Sequence, residues 1–249
     1  MAKTKIVVGV LTHNRPRLLK ETLESFNYYL KEYEKLIEFI VFDNGSKKEV
    51  IEHNKLLCQS YNAKFISCNE VIDLPKGSKS RDHNISIGHR KLSLLMKKYD
   101  GDAYMILEDD WKCIAQVPLD ELVKYLRQHP EVGQIRLRDC KYDGTLKGCA
   151  KHNFVTQEPI RWSKEEILGE YTLSYGNLHW VNNPSLITRE ALEFVNQGFD
   201  SEVACMEAFH KIFPINLQLK PGIFKHSGPW RHREDLVDQG FIKVGNHNG

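Results

Sequence analysis

Through its first 110 residues the chain alternates short apolar runs with amphipathic stretches. Lys5-Ile6-Val7-Val8-Gly9-Val10-Leu11 is rich in β-branched residues and ends abruptly in polar Thr12-His13-Asn14-Arg15, which predicts a strand and the loop after it. Pro16 stands where a first helical turn accepts proline, with Thr12 or Asn14 available as a cap. Leu18, Leu19, Leu23, Phe26 and Leu30 then recur at helical spacing. A second strand is predicted over Ile37 to Phe42, closed by Asp43-Asn44-Gly45-Ser46, residue types that favour a turn. A helix over residues 47–60, a short strand over 63–67 and a helix over 82–99 follow. A fourth strand, Ala103 to Leu107, runs straight into Glu108-Asp109-Asp110-Trp111.

Continuous apolar runs separated by amphipathic helices imply an α/β fold, with a mostly parallel, Rossmann-like sheet covered on both faces. Ligands of such sheets sit beyond the carboxyl ends of the strands. Three of the four predicted strands end there in polar clusters: Thr12-His13-Asn14-Arg15, Asp43-Asn44-Gly45-Ser46 and Glu108-Asp109-Asp110. The second half is less regular. A helix is predicted over Leu119 to Gln128, a strand over Gly133 to Leu137, and loop-like chain over 139–170. Thr188 to Asn196 reads as a helix capped by Thr188 and closed by Gly198, and another helix runs from Asp200 to Ile212. With no repeat, low-complexity tract or linker between them, residues 1–115 and 116–249 are expected to share one compact body.

Composition narrows the classes. Among 249 residues, 35 are Lys or Arg and 33 are Asp or Glu, so neither a uniformly basic nucleic-acid coat nor an acidic tail is present. A hydrophobic content of 41% with 10% aromatics is that of a globular protein. The apolar run Ile6 to Leu11 falls far short of the roughly 20 residues that span a bilayer, and it is not a secretory leader. Cys58, Cys68, Cys113, Cys140, Cys149 and Cys205 form no CxxC pair, and are expected to be reduced thiols of a cytoplasmic protein.

Three consecutive carboxylates after a buried strand repel one another. A divalent cation with phosphate oxygens is their natural partner, because hard oxygen ligands suit Mg²⁺ or Mn²⁺. A carboxylate such as Asp43 at a neighbouring tip can accept a hydrogen bond from uracil, and guanine would serve as well. Residues 76–98 hold Lys76, Lys79, Arg81, Arg90, Lys91, Lys97 and Lys98 against one acid, Asp82. Guanidinium groups there suit phosphate oxygens, of a diphosphate or of a polyanion such as DNA.

Three segments carry a resemblance: Val7 through Pro16, Phe42-Asp43-Asn44-Gly45-Ser46, and Leu107-Glu108-Asp109-Asp110. On these the chain resembles the GT-A nucleotide-sugar glycosyltransferases and is most similar to their large family 2 group. The last segment resembles the family's DxD motif in its EDD variant. The resemblance implies that Asp110 binds the metal and that Glu108 reaches the ribose or a metal-bound water. It further implies that Thr12, Asn14, Arg15, Asp43 and Asp109 contact the nucleotide sugar, with Asp43 on the base. Arg81 and Arg90 are the candidates for the diphosphate.

Family members place the catalytic base near the start of a helix after a Phe-Asp-type turn. Gly198-Phe199-Asp200 is such a turn, and it makes Glu207 the first candidate, with Glu202 and Asp200 in reserve. Ile223 to Trp230 reads as a strand ending in a small-residue loop, and there His226 is positioned by the resemblance to complete the metal site and to favour Mn²⁺ over Mg²⁺. Arg231 and Arg233 would close over the leaving diphosphate, and Trp162, Trp180 and Trp230 are candidates to stack on sugars. The implied reaction is inverting transfer from a nucleotide-diphosphate donor, a UDP-sugar first, to an acceptor hydroxyl on a glycan, glycolipid or other molecule. Alternatives are the same chemistry on a hydroxylated base in DNA, a sugar nucleotidylyltransferase, and a non-catalytic sugar-binding relative.

Overall fold

A computed structural model describes residues 5–68, 81–139, 156, 158–181, 184–197, 199 and 202–227, with backbone alone at 81–86 and 202. Strand β1 (Ile6–Thr12) lies between β2 (Ile37–Asp43) and β4 (Ala103–Glu108), parallel to both, and β3 (Lys64–Ser67) extends the sheet beyond β2. Helices α1 (Pro16–Tyr29), α2 (Lys48–Ser60) and α3 (Arg81–Met96) make the crossovers. Next come β5 (Trp111–Cys113), α4 (Leu119–Gln128), β6 (Val132–Arg136), β7 (Trp162–Leu168), β8 (Tyr171–Gly176) and β9 (Ser185–Ile187). Helices α5 (Arg189–Val195) and α6 (Glu202–Ile212) precede β10 (Ile215–Lys220) and β11 (Phe224–His226).

One nine-stranded sheet runs through both halves in the order β3-β2-β1-β4-β9-β6-β10-β8-β7, while β5 and β11 pair separately. Strand β9 is antiparallel to both β4 and β6, and β10 is parallel to β6. The carboxyl ends of β1, β2, β4, β6 and β10 therefore share one edge. Since β10 starts at the opposite edge, α6 runs toward that edge, with Glu202 at the end farther from it.

Alternation along β1 explains why the sheet is covered on both sides. Ile6, Val8 and Val10 pack with Leu19, Leu23 and Phe26 of α1, whereas Val7 and Leu11 face Leu92, Leu95 and Met96 of α3. Each fully buried aliphatic side chain of this kind contributes about 1.5–3 kcal/mol. Gly9 shares the α3 face, where a Cβ would overlap Met96 Sδ, so only glycine lets α3 lie this close. No described helix is long and apolar enough to cross a membrane. Cys58, Cys68, Cys113 and Cys205 remain thiols, and burial pushes Cys58 and Cys113 up to about 12, which keeps them unreactive.

The first-half elements lie within a few residues of their expected bounds, and Thr188 caps α5 by accepting from Ala191 N at 3.2 Å. Two expectations are corrected. Neither Thr12 nor Asn14 caps α1; Arg15 occupies the cap position without a side-chain bond. The stretch 139–170 is not all loop, because Trp162–Leu168 forms β7 on β8. Gly198 lies outside the described residues.

The second half also departs from an apolar core. On β6 and just past its end, Ile135 and Leu137 join the α1 side, and Arg136 and Arg138 alternate to the opposite face with Asn216 and Gln218 of β10, all buried. The His179 ring is buried there as well, and burial together with Arg136, Arg138 and His210 pushes it down to about 3. The folded protein thus holds His179 neutral while the unfolded chain protonates it near 6.5. Its contribution to stability is complete above that value and is lost as pH falls toward 3. Between pH 7 and 5 the wild type should lose on the order of 1–2 kcal/mol, read as a falling urea midpoint, and His179→Asn should flatten that dependence.

Candidate functional site

The register of the central strands brings the polar tips together. Thr12 at the end of β1 lies opposite Asp43 of β2, and Leu11 lies opposite Glu108 of β4. Asn44 N donates to Thr12 O at 2.9 Å and Asp109 N donates to Leu11 O at 3.0 Å, carrying the sheet pairing one step past the strands.

Asn14 joins the two loops. Its backbone is left-handed, φ 53°, a conformation asparagine tolerates better than most residues. Its N–H donates to Ser46 Oγ at 2.7 Å, and its Oδ1 accepts from Lys47 N at 2.9 Å, so the side chain serves the start of α2 instead of α1. In the β2 loop, Asp43 Oδ1 accepts from Gly45 N (3.0 Å) and Ser46 N (2.8 Å), a turn that Gly45 completes at φ 88°. Asp43 Oδ2 is buried without a hydrogen-bond partner among the described residues. The loop is braced by α3, since a Cβ on Gly88 would stand 2.8 Å from Asn44 Nδ2.

The acids at the end of β4 have separate surroundings. Asp109 is buried with both oxygens occupied: Thr12 Oγ1 donates at 2.6 Å and Arg15 Nη1 at 3.2 Å. Burial and the neighbouring Asp110 push its pKa up, to about 7, although Arg15 and Thr12 pull the other way. Asp110 accepts from Arg15 Nη1 at 2.9 Å through Oδ2, and His226 Nε2 is 3.4 Å from the same oxygen. Burial opposes the Asp110 charge, but His226 and Arg15 outweigh it and hold its pKa below the ordinary carboxylate value. Burial likewise opposes the Arg15 charge, and the three carboxylates override it, so the guanidinium stays charged.

Asp110 Oδ1 is buried without a partner among the described residues. Thr22 of α1 donates to Asp109 O and Trp111 O, and Ser227 N donates to Asp110 O, fixing the main chain on both sides. His226 stands across from Trp111 in the β5–β11 pair, with ring centroids 5.0 Å apart. Among the described residues no group of three or more His, Cys, Asp or Glu is arranged to hold a metal; Asp110, with one open oxygen, and His226 supply two ligand types that Mn²⁺ accepts.

Asp43, Asp110 and His226 thus meet at one edge with Thr12, Asn14 and Arg15. The Thr12 hydroxyl and Arg15 Nη1 are both spent on the acids, Thr12 on Asp109 and Arg15 on Asp109 and Asp110. Glu108 is engaged by His89 of α3, buried, with Nε2 at 3.3 Å from Glu108 Oε1; sequence reasoning passed over this histidine for the arginine beside it. Arg90 is half-buried, and its Nε has no partner among the described residues. Glu207 lies on the exposed outer stripe of α6 with Val203 and Lys211, because Cys205, Met206 and Phe209 take the inner face. Trp180 is core, packed on Phe209 at 5.5 Å, and Trp162 lies under Lys220. Asp200, Trp230, Arg231, Arg233 and the side chains of Arg81 and Glu202 fall outside the described residues.

No protein-family model matches the sequence, and no curated protein does. Solved structures do. S. aureus TarS 1-349 in complex with UDP-GlcNAc is 14% identical with a TM-score of 0.57, over 92% of this chain and 60% of that one. The mannosyltransferase PcManGT from Pyrobaculum calidifontis, in complex with GDP-Man and Mn²⁺, is 12% identical with a TM-score of 0.53, over 98% and 66%. Glucosyl-3-phosphoglycerate synthase from Mycobacterium tuberculosis, with Mn²⁺ and UDP-Glc, is 14% identical with a TM-score of 0.52, over 98% and 81%. The chain spans less than two thirds of the TarS segment. At this identity the likeness is one of fold, and the fold is that of the GT-A glycosyltransferases.

Removing the guanidinium exposes the cost of the acid pair. Arg15→Met should lower stability by about 3–5 kcal/mol in chemical denaturation, because two buried carboxylates lose their main counter-charge. Asp109→Asn in the same background should restore part of that loss.

Proposed function

We propose that the chain is a metal-dependent glycosyltransferase that moves a sugar from a nucleotide-diphosphate donor, a UDP-sugar first, to an acceptor hydroxyl with inversion. The observation that carries this reading is a pair of open, buried carboxylate oxygens, Asp43 Oδ2 and Asp110 Oδ1, at the carboxyl edge of a GT-A fold. In this reading residues 1–115 bind the donor and residues 116–249 the acceptor, within one GT-A unit.

Asp43 Oδ2 accepts the imide N–H of the base, and Thr12 and Asn14 hold the loops that shape the nucleoside pocket. Glu108, steadied by His89, receives the ribose hydroxyls. Asp110 and His226 would hold the metal, whose chemistry is to neutralise charge gathering on the departing diphosphate. Arg15 keeps the acid pair compensated, so Asp110 stays ionised and ready to ligate. Arg81 and Arg90 supply guanidinium contacts to the diphosphate. The acceptor proton passes to a carboxylate at the start of α6. The descent of that helix from the carboxyl edge favours Glu202, or Asp200 before it, over Glu207.

A panel of nucleotide sugars, scored by release of UDP or GDP with and without Mn²⁺, tests the donor reading. Release from a UDP-sugar is expected only with metal, and undiminished release in Asp110→Ala with excess chelator would remove the metal from the mechanism. For the base, Glu202→Gln should lower transfer by about 10²–10⁴-fold while Glu207→Gln changes it little; the reverse pattern would return the role to Glu207.

A further inference from the structure

Two arginines stand one strand period apart at the carboxyl end of β6: Arg136, 1% exposed, and Arg138, 4% exposed. Alternation puts both on the same face of the sheet. Arg136 Nη2 donates to the carbonyl of His179. Arg138 differs: its Nε and Nη2 are buried and have no hydrogen-bond partner among the described residues. A guanidinium cannot shed its proton. Donors of a charged group buried without partners are destabilising, and protein interiors keep them only where something else is gained.

The backbone holds this residue firmly in place. Gln218 Nε2 donates to Arg138 O at 2.9 Å, Asp139 N donates to Phe224 O at 2.7 Å, and a Cβ on Gly222 would overlap the Arg138 carbonyl. Arg138 bridges to Phe224 of β11, and two residues further along that strand His226 meets Asp110. The guanidinium therefore lies at the same sheet edge as the acid cluster, on its acceptor side.

We propose that Arg138, with Arg136 beside it, forms an oxyanion subsite that receives a phosphate or carboxylate group of the acceptor. The forked guanidinium matches either group with two parallel hydrogen bonds. Only the word acceptor rests on the glycosyltransferase reading; the anion site itself does not.

Thermal unfolding with chelator present tests the site, using inorganic phosphate and glycerate as probes against chloride at matched ionic strength. One probe or both should raise the wild-type Tm by several degrees through mass action, and which one does so distinguishes phosphate from carboxylate. Arg138→Met should abolish that rise and should itself melt above the wild type in the absence of anion, since an apolar side chain replaces buried donors without partners. Arg138→Lys, which keeps the charge but loses the fork, should show a smaller rise. The proposal is overturned by a wild type that responds to neither probe, by a rise that survives in Arg138→Met, or by an Arg138→Met protein that melts lower or does not fold. UDP protection measured alongside, with Mn²⁺ in place of chelator, reports on the donor reading separately. Its failure would leave the anion site standing.

Discussion

Two carboxylates, Asp109 and Asp110, are buried next to each other at the tip of β4, and their repulsion has to be balanced by the protein itself before any ligand arrives. The balancing groups come from separate parts of the chain: Thr12 from the end of β1, Arg15 from the start of α1, and His226 from the last described strand. Closing the fold and assembling the site are consequently one event. The two acids divide the work. Asp109 turns inward and uses both oxygens on the scaffold, while Asp110 keeps one oxygen open. A single acid would have to trade structural anchoring against ligand binding; adjacent acids with different surroundings do both.

The central half of the molecule was legible because its signals are local. The apolar runs at Ile6, Ile37 and Ala103 and the turn residues after them are set by backbone preferences and burial, and the strand-tip clusters follow from the topology those elements dictate. What escaped reading depends on partners distant in sequence. Strand β7, Trp-Ser-Lys-Glu-Glu-Ile-Leu, has no apolar alternation and is a strand because β8 pairs with it. Strands β9 and β10 went unseen for the same reason: β9 is only three residues long, and β10 buries Asn216 and Gln218 where an apolar pattern would have marked it. At the site, Asp110 and His226 stood out by position in the sequence, and the fold brings their side chains within 3.4 Å. The outward position of Glu207 was not legible, because helical spacing alone does not say which face its neighbours cover, and His89 carries no signal apart from its distance to Glu108.

The two halves of the sheet solve burial differently. Around β1 both faces are aliphatic and close-packed, with Gly9 admitting Met96. Around β6 and β10 one face is built from arginine, asparagine and glutamine, bonded in part through main-chain carbonyls such as those of Leu178 and His179, with Arg138 Nε and Nη2 left without partners among the described residues. A polar interior loses stability relative to an aliphatic one, yet it provides fixed hydrogen-bonding geometry where the aliphatic half provides rigidity.

The sheet ends on β7, whose outer side has no further strand among the described residues, with Ile167 85% exposed. Open edges of this kind invite stacking of one molecule's strands on another's. Here Lys164, Glu165 and Glu166 crowd the strand, and its register slips between Trp162 and Lys164. A second molecule approaching edge to edge would have to strip water from these charges and follow an irregular hydrogen-bond ladder. The charges and the irregular ladder of the rim that terminates the sheet thereby disfavour edge-to-edge pairing.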